Sequence, residues 1–501
     1  MRVMPYFNTL LGVLLVAALF CYFFASYYYG TAPGYLNHLE GALTLLSWDF
    51  IKGQSLYTLP NSLNYSVNTY GPIHFLAQSM MLTLGEPTIA NSKLVTLCAS
   101  TLAILLFGIH IWRRYGYLLM SIAIVLLAAI VLRQAPGSFL VRPDTLIFLI
   151  VTVALVVKDF DQDGRYGPVL LVAVCIGIAV NLKIYAPVFF FPMLISLMLK
   201  RETWFERFRL CMLIGIVAAI IAALPFFFSN ISVITYLKTT YELVAVRERS
   251  FDVILPLAKS LSVYLSPVVF LLLFTSNVRS IAGQQNLVYF ISLLLVSLAL
   301  MYSASMPGAG PNHFIPIAPI VADLYVRMAK ETLKKNKKLR HLYLCLIMPL
   351  IILIISWPSQ KRLFRQVNHL HNSSVPMELE KLSTQYKNKI IMMGYGDNFE
   401  SYKLSYFEPM LIFAGHPKKI SALSLMELHA SGIKPPNNLD RLVGVCDANI
   451  WLIPKGESPF GITSYYDGNI MVYSDKFRRN FASNYDKSAS TENFDIWTCK
   501  D

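Results

Sequence analysis

The sequence is poor in charge and lacks the motifs of several large protein classes. Only 14% of its 501 residues are Asp, Glu, Lys or Arg, and its seven cysteines include no Cys-x-x-Cys pair. Neither a complete dinucleotide-binding fingerprint nor a Walker lysine pattern is present, and we find no internal repeat. These absences argue against a zinc framework, a disulfide scaffold and a nucleotide-binding loop.

Apolar residues are abundant instead. They make up 55% of the chain, and the mean hydropathy is +0.52. A soluble domain of this length needs far fewer apolar residues to fill its core. Most of the chain is therefore expected to lie in lipid.

The basic residues give a formal net charge of +14, but they do not form one patch. Arg113 and Arg114, Lys200 to Arg209 and Lys330 to Arg340 each fill a short gap between apolar segments. Cytoplasmic loops of membrane proteins have this composition. The charge therefore predicts the orientation of the protein in a membrane, and it argues against nucleic acid as a partner.

Eleven apolar runs are candidates to cross a hydrocarbon core of about 30 Å. The run Phe7 to Tyr28 lacks a cleavage signature of small residues, and we interpret it as a retained helix. The predicted spans are Phe7 to Tyr28, Leu94 to Trp112, Tyr115 to Leu132, Phe139 to Val157, Gly167 to Val180, Ile184 to Leu199, Leu210 to Phe228, Val253 to Phe274, Leu287 to Met301, Phe314 to Met328 and Leu342 to Trp357.

With the N-terminus inside, every basic loop falls on the cytoplasmic face, including Lys158 to Arg165 and Arg279. The sequence thus predicts a polytopic α-helical membrane protein with about 11 transmembrane helices. Residues 1–357 form its transmembrane domain, residues 30–93 its first outer loop, and residues 358–501 a soluble extracytoplasmic α/β domain. The expected localisation is a bacterial inner membrane.

The first outer loop has the pattern of helices that lie along the membrane surface. Apolar residues recur at helical spacing from Leu39 to Phe50. The motif from Tyr70 to His74 starts a second apolar stretch that stops at Gly85, which is too short for a membrane span of about 20 residues. We therefore expect two interfacial or re-entrant helices in this loop.

Residues 358–501 have the composition of a soluble domain. Ser421 to Ser431, followed by Gly432, predicts a helix with its C-cap. Cys446 and Cys499 are either paired, which an oxidising compartment would permit, or two buried thiols. Three runs predict strands: Lys389 to Met393, Asn449 to Ile453 and Asn469 to Tyr473.

Two acidic residues on the predicted outer face are candidates for chemistry. Glu40 is either a carboxylate that deprotonates an acceptor hydroxyl or binds a metal, or an exposed charge on an interfacial helix. Asp144 follows Arg142 and Pro143 at the start of an apolar run. An ionisable group at that depth is usually paired or functional, whereas an acidic residue in the first turn of a helix is also favoured by the helix dipole.

Basic residues on the same face are candidates for binding an anion. Lys183 lies in a very short link between two spans, and Lys93 ends the first loop. Each lysine either holds a lipid phosphate or extends to the membrane surface from a helix end. His313 follows a loop rich in Gly and Pro, where it either contacts a phosphate or bonds to a backbone carbonyl.

Short motifs in this chain resemble the GT-C superfamily of glycosyltransferases, which includes the protein O-mannosyltransferases and the lipid A aminoarabinose transferases. The number of spans and the outer C-terminal domain are similar as well. Family members often carry Asp-Glu in the first outer loop, where this chain has Leu39-Glu40. The motifs that carry the resemblance are Glu40-Gly41, Gly53-Gln-Ser-Leu-Tyr57, Tyr70-Gly-Pro-Ile-His74, Arg142-Pro-Asp144 and Asn181-Leu-Lys183.

The resemblance implies an inverting transfer of a sugar from a polyprenyl-phosphate carrier to a glycan, lipid or protein acceptor at the membrane. Glu40 and Asp144 would then be the catalytic carboxylates, and Lys93 and Lys183 would hold the carrier phosphate. A divalent metal ion is the one cofactor left open. The other residues expected to bind substrate are Arg142, Tyr70, His74 and His313.

Two other functions are consistent with the same residues. A transporter or flippase of a lipid-linked sugar would share the spans and the outer basic residues, but it is expected to show paired repeats and charges near the midplane. A non-catalytic assembly or sensor protein would bind a partner through the outer domain. The observation that separates this third function from an enzyme is whether Glu40 and Asp144 face one cavity.

Overall fold

The computed structural model describes residues 3–160, 166–245, 249, 251–274, 284–306, 308–335 and 339–500. Arg279 lies outside the described residues, as do parts of the predicted basic loops Lys158 to Arg165 and Lys330 to Arg340. The chain divides into two compact units. The first contains Met1–Gly30, Val95–Pro225 and Glu248–Arg365, and the second contains Thr31–Leu94, Phe226–Arg247 and Gln366–Asp501.

The first unit is helical. The ranges of two of its helices, Ile89–Tyr115 and Leu339–His371, include residues assigned to the second unit. The α-helices described in it are Val3–Gly30, Ile89–Tyr115, Tyr117–Arg133, Pro143–Lys158, Tyr166–Val180, Phe191–Met198, Trp204–Ala223, Phe251–Phe274, Gln284–Ala304, Ala318–Lys335 and Leu339–His371. Shorter 3-10 helices are Ala186–Phe190, Leu224–Phe227 and Pro311–Ile317.

Helix Tyr117–Arg133 lies in the core of the first unit. Every residue from Ser121 to Leu132 is buried, and the helix packs against both Val3–Gly30 and Ala318–Lys335. A helix that is apolar on all sides is stable only where neighbours cover it. The composition of this segment therefore explains its central position.

Gly177 allows two helices of the first unit to pack closely. A Cβ at this position would lie 2.6 Å from the carbonyl oxygen of Ala218 and 2.6 Å from the Cβ of Ile221. Small residues permit such close approach between membrane helices. Helix Tyr166–Val180 therefore contacts the backbone of helix Trp204–Ala223.

The chain is an integral, multi-pass membrane protein. Each of the eleven predicted spans coincides with helical residues, but the count of eleven membrane crossings stays a prediction. Among the described residues, six helices are long and apolar enough to cross a membrane: Phe7–Gly30, Ile89–Tyr115, Trp204–Phe227, Phe251–Phe274, Gln285–Ala304 and His341–Gln385. Shorter apolar helices are Tyr117–Arg133, Tyr166–Val180 and Ala186–Met198.

The second unit combines helices with a small sheet. The first loop contributes helices His38–Ile51 and Pro72–Leu84, at the positions that the apolar spacing predicts. Their placement along a membrane surface stays a prediction. The remaining helices described in this unit are Val233–Ala245, Val375–Gln385, Glu408–Phe413, Ala422–Ala430, Arg441–Gly444 and Asp475–Asn484.

In the described part of the chain the sheet has four strands in the order β1-β2-β4-β3. The strands are β1 (Ile391–Met393), β2 (Ile450–Pro454), β3 (Tyr485–Ser490) and β4 (Phe494–Cys499). β1 pairs with β2 in parallel, and β4 is antiparallel to both β2 and β3. β2 is buried along its whole length, as expected for a strand with neighbours on both sides.

Two of the three strand predictions are confirmed, and the third is wrong. Asn469 to Tyr473 forms no strand, and this region contributes only an isolated bridge between Thr463 and Met471. β3 escaped prediction because its residues are polar and only Tyr485 is buried, as is usual for an edge strand. The helix predicted before Gly432 is confirmed as Ala422–Ala430, with Ser421 as its N-cap. The domain boundary at residue 358 stays a prediction.

Cys446 and Cys499 form a disulfide bond. Cys499 is the last residue of β4, and the Cα atoms of the two cysteines lie 5.9 Å apart. The sequence left a disulfide and two buried thiols as alternatives. The structure favours the disulfide.

Replacing both cysteines by serine should lower the stability of the second unit by about 2–4 kcal/mol, because the bond restrains the unfolded chain. The measurement is the thermal midpoint of the Cys446→Ser/Cys499→Ser double variant. Cys98 and Cys211 are free and exposed, so Cys98→Ser/Cys211→Ser is the matched control. Equal midpoints for both double variants would contradict a stabilising bond.

Candidate functional site

Helix His38–Ile51 begins with a capping box that contains Glu40. Its Oε1 accepts hydrogen bonds from the backbone N–H groups of Leu36 at 3.0 Å and Asn37 at 3.1 Å. The side chain of Asn37 accepts a bond from the N–H of Leu39 in turn. Glu40 has no exposed surface. The alternative of an exposed charge is therefore excluded, because Glu40 is a buried carboxylate that fixes the start of the helix.

Lys93 is equally buried in the same unit. Its Nζ donates hydrogen bonds to the carbonyl oxygens of Ala32 and Gly34, both at 2.8 Å. The charge of Glu40 acts on this ammonium group. Lys93 therefore holds the segment that precedes helix His38–Ile51.

A network of buried polar side chains supports Glu40 and Lys93. The hydroxyl of Tyr35 lies 2.6 Å from the Oγ of Ser92 and donates to the Oγ1 of Thr44 at 2.9 Å. The amide of Gln78 bonds to Ser47 and to Thr44, both at 2.8 Å. Satisfied polar networks in a buried region restrict the chain to one arrangement. The first loop is therefore a fixed structure rather than a linker.

Tyr70 and His74 are packed into this loop as well. The backbone of Tyr70 accepts a bond from the hydroxyl of Tyr57 at 2.9 Å and donates to Asn68 at 2.8 Å. His74 is fully buried in helix Pro72–Leu84, and its ring lies edge-on to Phe75. Their expected role in substrate binding stays a prediction.

Asp144 and Lys183 form a buried ion pair in the first unit. Arg142 is the N-cap and Pro143 begins the helix, so Asp144 lies in the first turn. Its Oδ1 is 2.7 Å from the Nζ of Lys183, and its Oδ2 accepts a bond from the Nδ2 of Asn312 at 3.1 Å. Asp144 is 1% exposed and Lys183 is 2% exposed. The carboxylate thus binds two side chains distant in sequence.

His313 and Arg142 complete this group. The Nδ1 of His313 is 2.8 Å from the hydroxyl of Tyr185, and the two rings stack. Arg142 is close enough for its charge to act on Asp144, Lys183 and His313. Its Nε is buried and has no hydrogen-bond partner among the described residues. The group is called the Asp144 cluster below: Asp144, Arg142, Lys183, Tyr185, Asn312 and His313.

The predicted site residues fall into two sets. Asp144, Arg142, Lys183 and His313 come together in the Asp144 cluster, whereas Glu40, Lys93, Tyr70 and His74 belong to the second unit. Sequence reasoning missed Asn312 and Tyr185, although each lies within a segment that it singled out. Their contacts join residues more than 120 positions apart, and a single sequence does not reveal such pairs.

Glu408 is a carboxylate of the second unit that sequence reasoning also missed. Together with His38 and Gly41 it lines a cavity of about 20 Å³, room for roughly one water molecule. Burial raises the pKa of Glu408 to about 7, although the positive charge of Lys418 acts in the opposite direction. Lys418 is itself paired with Asp49 at 2.6 Å. No local sequence motif marks Glu408, because it reaches the cavity beside His38 and Gly41 only when the chain folds.

We compared the sequence and the structure with those of known proteins. No protein-family model matches the sequence, and no curated protein matches it significantly. The structure is similar to the crystal structure of apo ArnT from Cupriavidus metallidurans, with a TM-score of 0.58 and 12% identity over 89% of this chain and 93% of ArnT. The structure of that ArnT bound to undecaprenyl phosphate gives a TM-score of 0.56 with the same identity and coverage.

The chain has the fold of ArnT, which is the GT-C fold that the short motifs predict. The arabinosyltransferase EmbB from Mycobacterium smegmatis matches at a TM-score of 0.46 and 12% identity, with 89% of this chain and 44% of EmbB covered.

A divalent metal ion does not fit the Asp144 cluster. The carboxylate of Asp144 bonds to an ammonium group and an amide NH2, whereas Mg²⁺ and Ca²⁺ require several oxygen ligands. A group of three potential metal ligands does occur among the described residues, but it consists of His110, Asp159 and Asp323. We therefore assign no step to a metal ion.

Breaking the Asp144–Lys183 pair from either side should destabilise the protein. Asp144→Asn or Lys183→Gln alone leaves an uncompensated buried charge, which costs about 3–5 kcal/mol. The double variant removes both charges and should cost less than the sum of the single variants. Thermal midpoints of the four proteins in detergent measure this coupling. Strictly additive losses would contradict the ion pair.

The pKa of Glu408 predicts how stability depends on pH. The pKa of a glutamate in the unfolded chain is about 4.3, and burial in the folded protein raises the pKa of Glu408 to about 7. Protonated Glu408 therefore favours the folded state below about pH 4, and this contribution is lost as the pH rises through about 7. Glu408→Gln should raise the thermal midpoint near pH 8 but not near pH 4. Exposed Glu380→Gln is the control, and an equal effect of both variants near pH 8 would contradict the prediction.

Proposed function

We propose that this protein is an inverting glycosyltransferase that takes a sugar from a polyprenyl-phosphate carrier at the outer face of a bacterial inner membrane. The observation that carries the proposal is the Asp144 cluster, a buried group with excess positive charge in a chain with the GT-C fold. The disulfide Cys446–Cys499 supports an oxidising compartment for the second unit.

The charges of the Asp144 cluster favour an anionic ligand. Arg142 and Lys183 are two cations beside one carboxylate, since Asn312 and Tyr185 are uncharged. A buried guanidinium nitrogen without a partner, such as Nε of Arg142, is costly until a ligand accepts its hydrogen bond. A phosphate group supplies both the negative charge and the acceptor oxygens. The ArnT structure with undecaprenyl phosphate adds weight to a polyprenyl phosphate as this ligand.

The cations also suit the chemistry. The acceptor oxygen attacks the anomeric carbon, the bond between this carbon and the phosphate oxygen breaks, and polyprenyl phosphate leaves with the electron pair. Lys183 and Arg142 stabilise the negative charge that develops on the leaving oxygen. Asp144 holds the ammonium group of Lys183 in position, and His313 is held by Tyr185 as a further hydrogen-bond donor to the phosphate.

The acceptor hydroxyl has to lose its proton to a base. Glu40 is assigned this role because it matches the acidic residue of the GT-C first loop. Glu408 is a second candidate, because a base with a pKa of about 7 is matched to neutral pH. Lys93 and the pair Tyr70 and His74 support the loop that carries Glu40. The acceptor in this proposal is a glycan, a lipid or a protein.

The test is transfer of radiolabelled sugar from a panel of polyprenyl-phosphate donors by the purified full-length protein. Lys183→Gln and Glu40→Gln should each lower kcat by roughly a hundredfold or more, because each removes a group that acts in the transition state. Exposed Lys259→Gln and Glu380→Gln are matched controls that should retain full transfer. If Glu408 is the base instead, Glu408→Gln removes the acidic limb of the pH profile and Glu40→Gln does not.

The same assay separates the transferase from its rivals. Reconstituted vesicles show whether the protein moves the lipid-linked sugar across the bilayer without cleaving it. Such transport without transfer would show that the protein is a flippase rather than a transferase. Transfer that resists EDTA supports the metal-free mechanism, and transfer abolished by EDTA and restored by Mg²⁺ or Mn²⁺ would overturn it. Absence of both transfer and transport with every donor would contradict the proposal.

A further inference from the structure

The first unit contains a large cavity that the proposed reaction does not use. Its volume is about 910 Å³, and no residue of the Asp144 cluster lines it. Asp144 begins helix Pro143–Lys158, whereas the cavity lies at the other end of that helix, beside Asp159. The two ends are roughly 21 Å apart at 1.5 Å per residue. The cavity is therefore a separate site.

Basic side chains from three segments converge on this cavity: Arg113, Arg114, Lys200, Arg201 and Arg327. Among the described residues, Asp159 is the one acidic residue that lines it. Charges of one sign in a partly enclosed site repel each other, and an anion relieves that repulsion. The excess of positive charge therefore selects an anionic ligand.

Two carboxylates fix part of this basic lining. Asp159 forms ion pairs with Arg114 and, at 3.6 Å, with Arg327, and it lies 3.1 Å from His110. Asp323 is paired with Arg327 at 2.8 Å. Asp159 and Asp323 could suggest a metal site with His110. Guanidinium groups already lie beside both carboxylates, so the carboxylates orient arginines rather than bind a cation.

One helix face joins this basic lining to an apolar surface. Leu106, Ile109 and Arg113 follow each other at helical spacing on helix Ile89–Tyr115 and line the cavity together. Leu106 is 38% exposed and Ile109 is 45% exposed. Phe160 adds a further exposed apolar side chain to the lining. The surface thus changes from apolar to cationic along one helix, as a lipid changes from acyl chain to headgroup.

We propose that this cavity binds the headgroup of an anionic phospholipid, with an acyl chain along Leu106 and Ile109. The phosphate lies among Arg113, Lys200 and Arg201, and the glycerol end faces the apolar side chains. Basic pockets between membrane helices bind anionic headgroups through the same chemistry. A free phosphate ester would contact the cations alone and gain nothing from the apolar face. The contribution of the acyl chain to binding therefore distinguishes a phospholipid from a free phosphate ester.

The experiment is native mass spectrometry of the delipidated full-length protein, titrated with short-chain phosphatidylglycerol. Short-chain phosphatidylcholine and inorganic phosphate are titrated in parallel. We expect phosphatidylglycerol to bind, and the Arg113→Gln/Lys200→Gln variant to weaken this binding roughly tenfold or more, since each cation near an anionic headgroup contributes about 1 kcal/mol. The ion pairs that Asp159 and Asp323 form with Arg114 and Arg327 do not involve Arg113 or Lys200, so this variant keeps them.

The control is Arg209→Gln/Lys334→Gln, which removes the same charge at exposed positions outside the cavity. Equal weakening in both double variants would show a general effect of net charge and overturn the site. Binding of inorganic phosphate as tight as that of phosphatidylglycerol would replace the lipid by a free phosphate ester. Equal binding of phosphatidylcholine would overturn the charge argument. A second variant, Ile109→Ser, should weaken phosphatidylglycerol and leave inorganic phosphate unaffected.

Discussion

The buried ion pair between Asp144 and Lys183 is the interaction on which the account of this protein depends. Neither charge is stable at 1% and 2% exposure unless the other is present, because burial removes the water that would solvate it. The pair therefore fixes the start of helix Pro143–Lys158 against the link between Val180 and Ala186. Asn312 extends the constraint to the 3-10 helix Pro311–Ile317. Three segments that are distant in sequence thus place their polar side chains around one point.

The two sets of predicted site residues differ in what their polar atoms already bind. Glu40 and Lys93 bond to backbone groups of the segment from Ala32 to Asn37, so their first role is to hold the loop in shape. In the Asp144 cluster the bonds run between side chains, and Arg142 retains an unpaired buried nitrogen. A bound ligand would therefore supply a missing hydrogen-bond acceptor in the Asp144 cluster, whereas Glu40 and Lys93 already bond to the backbone. This contrast is why the proposal assigns phosphate binding to Lys183 and Arg142 rather than to Lys93.

The sequence predicted the helices well, because runs of apolar residues and their spacing are local properties. Pro143 and the short link at Lys183 even marked the segments of the Asp144 cluster. The sheet was harder, since polar β3 is stabilised by its neighbour β4 rather than by its own pattern, and Asn469 to Tyr473 has strand composition without a partner strand. Asn312 and Glu408 lay beyond sequence reasoning, because their surroundings are created by contacts between residues far apart in the chain.

The central claim is that the Asp144 cluster holds a lipid-linked phosphate. Photo-crosslinking with a polyprenyl phosphate that carries a diazirine next to the phosphate tests it most directly, when the labelled peptides are identified by mass spectrometry. The account predicts labels in the segments 181–185 and 311–317 of the wild-type protein, and their loss on competition with unmodified polyprenyl phosphate. Labels that appear only elsewhere, or that persist under competition, would contradict it.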